Sequence, residues 1–194
     1  MGIGAIVLAA GASQRMGRNK MLLPLDGEPL VRRAARRAQA AGLVPVIVVI
    51  GNEAEQVRAA LDGVECTCVE NPDIVGPMTS SLHVGLRLLS DEVTAVVVIL
   101  ADMVHVTEAM LRTLVATARS GQAPLVASQY GAVIAPPLLF RRVLFPELFA
   151  CRGEGWKQVV QQHCEEAAMV DWPLTALADV DTPEDWARLE ITST

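Results

Sequence analysis

The sequence predicts an α/β domain built on a mostly parallel sheet with helices on both faces, and three observations carry that reading. Short apolar runs bounded by turn residues alternate with stretches of helical length, the pattern of strands joined by helical crossovers. Apolar residues make up 52 % of the chain, ample for a buried core and incompatible with wholesale disorder. A length of 194 residues suits one domain, residues 1–194, with no repeat, linker or low-complexity tract inside it.

The elements follow in order. Ile3–Leu8, Val46–Ile50, Cys66–Val69, Ala95–Leu100 and Pro124–Ala127 read as strands, because a parallel strand covered on both faces is continuously apolar. Leu30–Ala41, Glu53–Leu61, Ser80–Leu89 and Glu108–Ser120 read as helices, with Gly42, Gly63 and Gly121 standing where three of them stop. Thr107 is the expected N-cap of the last helix, and Pro183 the expected start of a closing one. Tyr130–Phe149 and Gly153–Trp172 are less regular and are expected to cover the sheet.

Sixteen Lys and Arg against 22 Asp and Glu give a net charge of −6, which speaks against a nucleic-acid partner. Residues 1–58 nevertheless hold eight basic groups and four acids, leaving eight against eighteen for the rest. A local basic loop on an acidic body suits a small anionic ligand. The longest apolar candidates, such as Ala95–Ala101, fall short of the roughly 18 residues a membrane span needs. No basic residue precedes the first apolar stretch, so a cytoplasmic protein without a membrane partner is expected. Cys66 and Cys68 alternate on one strand face, and His83, His105 and His163 are scattered, which favours structural thiols over a metal centre.

Ligands of such a sheet bind at the carboxyl ends of its strands. The first strand runs into Ala9-Ala10-Gly11-Ala12-Ser13-Gln14-Arg15-Met16-Gly17-Arg18-Asn19-Lys20. Small residues let backbone amides approach phosphate oxygens, and Arg15, Arg18 and Lys20 add fixed positive charge. The dinucleotide, P-loop and hydrolase-elbow templates all fail here, and a solvated turn is the plain alternative. Asp102 follows the most apolar strand, where an exposed loop carboxylate could serve one Mg²⁺ on a triphosphate or merely make a turn.

Leu8-Ala9-Ala10-Gly11-x-Ser13-x-Arg15-Met16-Gly17-x-x-Lys20, with Leu22-Leu23-Pro24 behind it, resembles the signature of the MobA-like nucleotidyltransferases, and within them the molybdenum cofactor cytidylyltransferases. That resemblance implies a Rossmann-like sheet of the nucleotide-diphospho-sugar transferase type. It further implies a loop, Leu8 to Lys20, that wraps a triphosphate. Arg15 would hold phosphates and Lys20 would neutralise charge at the α-phosphate. Ala10 stands where the guanylyl branch carries a second glycine, which implies CTP. Ala101-Asp102-Met103 matches the metal-ligand segment, although Val104 replaces its proline. Asp179-Val180-Asp181-Thr182-Pro183 resembles the closing motif, with Asp181 as the second Mg²⁺ ligand and Asp179 its rival. Asn71, Ser80 and Ser81 fall in the segment beside base and ribose, where the two serines could equally cap a helix.

The likeness is strong to about Met103 and weaker after it. Ala135-Pro136-Pro137-Leu138 stands in place of a Gly-His-Pro segment, and Gly153-Glu154-Gly155 in place of Gly-Asp-x-Gly. The nucleotide-binding half is accordingly placed at 1–103 and the acceptor-facing half at 104–194. The resemblance implies transfer of CMP to molybdopterin with release of pyrophosphate, and a molybdenum hydroxylase apoenzyme as a further partner. Another phosphorylated acceptor (methylerythritol phosphate, a sugar phosphate or a phosphoalcohol) and a non-catalytic cofactor-binding accessory protein are the alternatives.

Overall fold

The computed structural model describes residues 2–11, 13, 16–73, 76–178, 180 and 182–192. In chain order the elements are β1 (Gly2–Ala9), a hairpin of β2 (Pro24–Leu25) and β3 (Glu28–Pro29), α1 (Leu30–Ala40), β4 (Val46–Ile50), α2 (Ala54–Ala60), β5 (Thr67–Glu70) and α3 (Met78–Leu86). They continue with β6 (Val93–Leu100), α4 (Glu108–Ser120), β7 (Leu125–Tyr130), β8 (Val133–Arg141), α5 (Phe145–Ala150), α6 (Trp156–Gln162), β9 (Ala168–Trp172) and α7 (Pro183–Thr192). The expected strands and helices are all present, and Val46–Ile50 and Glu108–Ser120 keep the expected boundaries. Thr107 caps α4 by accepting a bond from the Met110 amide at 3.2 Å.

One seven-stranded sheet runs in the order β5-β4-β1-β6-β8-β7-β9. β5, β4, β1 and β6 are mutually parallel, and β8 is antiparallel to both its neighbours. The strand pleat divides the core. Ile3, Ala5 and Val7 of β1 face α1, α2 and α4, packing with Val31, Ala35, Val57, Leu111 and Leu114. Ile6 and Leu8 face the other way, toward Leu82 and Leu86 of α3 and toward Phe145 and Trp156 of α5 and α6. Both faces are therefore covered, as continuous apolar runs require.

The expectation for the chain after Tyr130 is corrected here. Residues 133–141 and 168–172 do not lie over the sheet; they extend it as β8 and β9. Pro136 and Pro137 argue against a central strand, since proline cannot donate to a ladder. The chain accommodates them by shifting register between Ala127 and Gln129 and bonding their carbonyls to side chains. Ser128 Oγ donates to the Pro137 carbonyl at 2.7 Å and accepts from Trp172 Nε1, while Tyr130 OH donates to the Pro136 carbonyl at 2.9 Å.

All four cysteines are free, in keeping with structural thiols. A hydrogen bond between the Cys66 and Cys68 thiols pulls Cys68 down to about 7 and pushes Cys66 up. Among the described residues no three His, Cys, Asp or Glu side chains gather as a metal cluster. No helix among them is long and apolar enough to cross a membrane.

Candidate active site

Parallel pairing sets β1 and β6 side by side with Leu8 opposite Leu100, so the loops that follow them emerge together. The Ala101 amide bonds the Leu8 carbonyl at 3.2 Å and fastens the two loops where they leave the sheet. On the other side of β1, the chain turns away from β4 at Gly51. A Cβ at Gly51 would lie 2.6 Å from the Ala10 carbonyl oxygen, so only glycine lets these backbones meet. Asn19 Nδ2 donates to the Asn52 carbonyl at 2.9 Å and completes the bracing.

Between these anchors the described residues of the loop bond to one another. Ser13 takes a left-handed φ of 48°, and its Oγ accepts from the Lys20 amide at 3.1 Å. Asn19 caps the short helical turn Lys20–Leu22 through its bond from the Met21 amide. Met21 is buried in the main core, while Met16 and Leu23 join a smaller cluster with Val104, Val180 and Trp186. These apolar anchors draw Lys20 inward, and the residue is only 8 % exposed.

Lys20 Nζ lies 2.5 Å from Asp102 Oδ2. The expectation of Asp102 as an exposed loop carboxylate is thereby corrected: its side chain is 17 % exposed and paired with Lys20 across 82 residues of sequence. A pair so withdrawn from water is held by Coulomb attraction that bulk solvent would largely screen. In the loop that follows β1, Gly11 is exposed, and among the described residues beyond its chain neighbours nothing lies within 4 Å of where a Cβ would stand. Its backbone thus borders open space beyond the carboxyl end of β1.

The other expected residues divide. Leu8, Ala9 and Ala10 sit at this edge with their side chains in the core, so the Ala10 methyl packs with Leu8 and Leu82 and does not form a pocket floor. Asn71 braces the start of α3. It is 3 % exposed, and its Nδ2 bonds Ser80 Oγ at 2.8 Å and Ser81 Oγ at 2.9 Å. Ser80 also donates to the Pro77 carbonyl, and Ser81 is buried, so both serines help to fix the start of α3. Arg15, Asp179 and Asp181 lie outside the described residues. A cavity of about 450 Å³ opens beside this start, lined among others by Thr79, His83, Phe149 and Arg152.

Sequence reasoning missed Gly51, Asn19 and Arg37. Arg37 of α1 donates to the Val104 carbonyl at 2.9 Å and the Val106 carbonyl at 2.5 Å. Burial, and then the neighbouring Arg33, lower its pKa to about 10, which leaves it charged at neutral pH.

A family model for the MobA-like NTP transferase domain matches residues 5–167. The chain belongs to this family. It is a nucleotidyltransferase, and relatives support that assignment along its length. The MobA-like chain is 30 % identical over 196 residues to the purine catabolism protein PucB of Bacillus subtilis, covering 93 % of this chain and 92 % of the relative. A probable molybdenum cofactor guanylyltransferase of Synechococcus elongatus is 26 % identical, with 98 % and 100 % covered. The crystal structure of Rv0371c from Mycobacterium tuberculosis superposes with a TM-score of 0.84 at 30 % identity, covering 97 % of each chain, and that protein has also been solved with manganese.

Proposed function

We propose that this nucleotidyltransferase moves CMP from CTP to the terminal phosphate of molybdopterin in the cytoplasm, with Mg²⁺ and with release of pyrophosphate. The observation that carries this reading is the Lys20–Asp102 pair, largely withdrawn from water at the carboxyl edge of β1 and β6, together with the open Gly11 backbone in the loop after β1. A cation and an anion held together at the edge where such a sheet takes its ligands suit a magnesium triphosphate, which brings both opposite charges.

The donor chemistry fits the metal. Asp102 offers hard carboxylate oxygen, and a triphosphate-bound Mg²⁺ takes only one or two protein carboxylates. Asp181 is assigned as the second from the closing motif. Held there, Mg²⁺ would supply electrostatic stabilisation of the charge that builds in the displacement. Lys20 exchanges its carboxylate partner for phosphate oxygen and offsets charge growing on the leaving pyrophosphate. Arg15 holds the phosphates, and the Gly11 backbone lets them approach closely. Catalysis of this kind is positioning and electrostatic stabilisation, with no covalent intermediate. The braced edge supplies both.

CTP is assigned from Ala10. The Ala9-Ala10-Gly11 form resembles the cytidylyl branch, where the guanylyl branch carries a second glycine at the position of Ala10. The acceptor is assigned to residues 104–194, by way of the loop joining α5 and α6, because the Pro136–Pro137 segment is closed within the sheet. Molybdopterin is supported by the Synechococcus relative, which is named for molybdenum cofactor chemistry.

The test mixes purified protein, Mg²⁺ and molybdopterin with each of CTP, GTP, ATP and UTP, and follows pyrophosphate and dinucleotide. CTP is expected to give the fastest release. Equal or faster release with GTP overturns the base assignment. Turnover with methylerythritol phosphate or a sugar phosphate, and none with molybdopterin, overturns the acceptor. No release under any pairing favours the accessory role toward a molybdenum hydroxylase apoenzyme.

A further inference from the structure

The turn that carries Asp102 is short, and its apolar side chains are buried. Ala101, Met103, Val104 and Val106 are each at most 5 % exposed. Its backbone bonds run from the Ala101 amide to Leu8, from Met103 to Leu100 and from Val106 to Met103. These use amide donors. The carbonyls of Val104 and Val106 point toward α1, where a buried acceptor without a donor would carry a desolvation cost. Arg37 supplies the donor to both from a single guanidinium nitrogen.

We infer that Arg37 is a positioning residue for the Asp102 carboxylate, clamping the far side of its turn to α1 while Lys20 grips the carboxylate itself. The reach of these bonds supports a clamp over a generic packing contact: they span 67 and 69 residues of sequence, and both end on this one turn. Tying both carbonyls to one nitrogen of Arg37 holds the far limb of the turn against α1, and that limb is bonded back toward Asp102 through the Val106–Met103 and Met103–Leu100 backbone bonds. Burying such a charge is costly, and the chain does so next to a second arginine, Arg33, which raises the cost.

The inference rests on Asp102 being a metal-binding carboxylate. The experiment titrates Mn²⁺ into the full-length protein with CTP, following free Mn²⁺ by its paramagnetic resonance, alongside the melting temperature. Arg37→Gln is expected to raise the half-saturating Mn²⁺ about tenfold, the scale of lost bonds to a charged donor. The KM for CTP at saturating metal is expected to stay within about twofold, as for a loss confined to metal positioning. Arg37→Lys keeps the charge but has a shorter, non-planar head, and is expected at about threefold. Arg112→Met is the control. Arg112 also ties one helix to another, donating to the Ala40 carbonyl, but it does not touch the turn, so wild-type half-saturation is expected.

A lowered melting temperature with unchanged half-saturation in Arg37→Gln makes the residue merely structural and overturns the inference. Should that variant not fold, Arg37→Lys at the wild-type value overturns it equally. Asp102→Asn separates the two levels. If it abolishes uptake while the Arg37 variants behave as wild type, only the clamp is wrong. If it leaves uptake unchanged, the metal reading fails and the clamp with it.

Discussion

At the carboxyl edge of the parallel half, β1, β4 and β6 end in loops bonded to one another: Leu8 to Ala101, Asn19 to Asn52, Lys20 to Asp102. In the antiparallel half, β7 and β8 turn their polar groups back on themselves, with Ser128 and Tyr130 bonded to Pro137 and Pro136 and with Trp172 bonded to Ser128. Both arrangements satisfy buried polar atoms, as folding demands. They differ in what is left at the surface. Cross-strand bonding in the parallel half holds a charged pair and an open glycine backbone at one edge, whereas mutual bonding in the antiparallel half closes its strands completely. Chemistry with an anionic nucleotide belongs to the first. In the second, the polar groups of Ser128, Tyr130 and Trp172 are spent within the sheet.

Breaking the charged pair should have the largest effect. Lys20→Ala is expected to lower kcat by about 10²–10³ while changing the KM for CTP little, the loss typical of one preorganised charge acting on the transition state. Steady-state pyrophosphate release measures it, and a near-normal kcat would remove Lys20 from the reaction. Gly11→Ala tests the open backbone. A methyl there meets no protein atom, so the melting temperature is expected to hold while the KM for CTP rises about tenfold, the scale of one displaced phosphate contact. A lower melting temperature with normal KM would make Gly11 a folding residue.

Ser128→Ala probes the closed half. Ser128 is wholly buried, and its loss strands the Pro137 carbonyl and the Trp172 indole N–H, for about 1–3 kcal/mol of stability. Denaturant midpoints should fall while CTP affinity stays the same. The smallest expected effect is the pH dependence at α5 and α6. His163 bonds Glu166 and Glu147, both of which raise its pKa. Its stabilisation is therefore full below the unfolded value of about 6.5 and is lost as pH rises through the higher folded value. His163→Gln should lower the melting temperature more at pH 6 than at pH 9, and the reverse order would contradict the clasp.

Most of the parallel half was legible in the sequence, because buried parallel strands write themselves as apolar runs and their loops fall at the ligand edge. The loop of residues 10–23 and Asp102 were found for that reason. Their pairing was not, since nothing local relates residues 82 positions apart. β8 was missed because Pro136 and Pro137 speak against a strand, and the side chains that compensate, Ser128 and Tyr130, lie on its neighbour. Asn71 was read as a ligand contact, and its bracing of Ser80 and Ser81 was not legible, because an asparagine's amide serves many partners and only the fold shows which it has. Arg37 was read as part of a basic surplus; its target carbonyls carry no sequence signal at all.

The central claim is that Asp102 holds the metal for nucleotidyl transfer while Lys20 balances it. Asp102→Asn tests it most directly, by pyrophosphate release across a Mg²⁺ titration with the melting temperature measured in parallel. Because Asp102 is a half-buried partner of Lys20 and not a free loop residue, the variant is expected to lose about 1–3 kcal/mol of stability, with the amide oxygen keeping a weaker bond to Lys20. It should remain folded, and turnover should fall by several orders of magnitude and not recover with added Mg²⁺. A folded variant with wild-type turnover and an unchanged Mg²⁺ dependence would contradict the account.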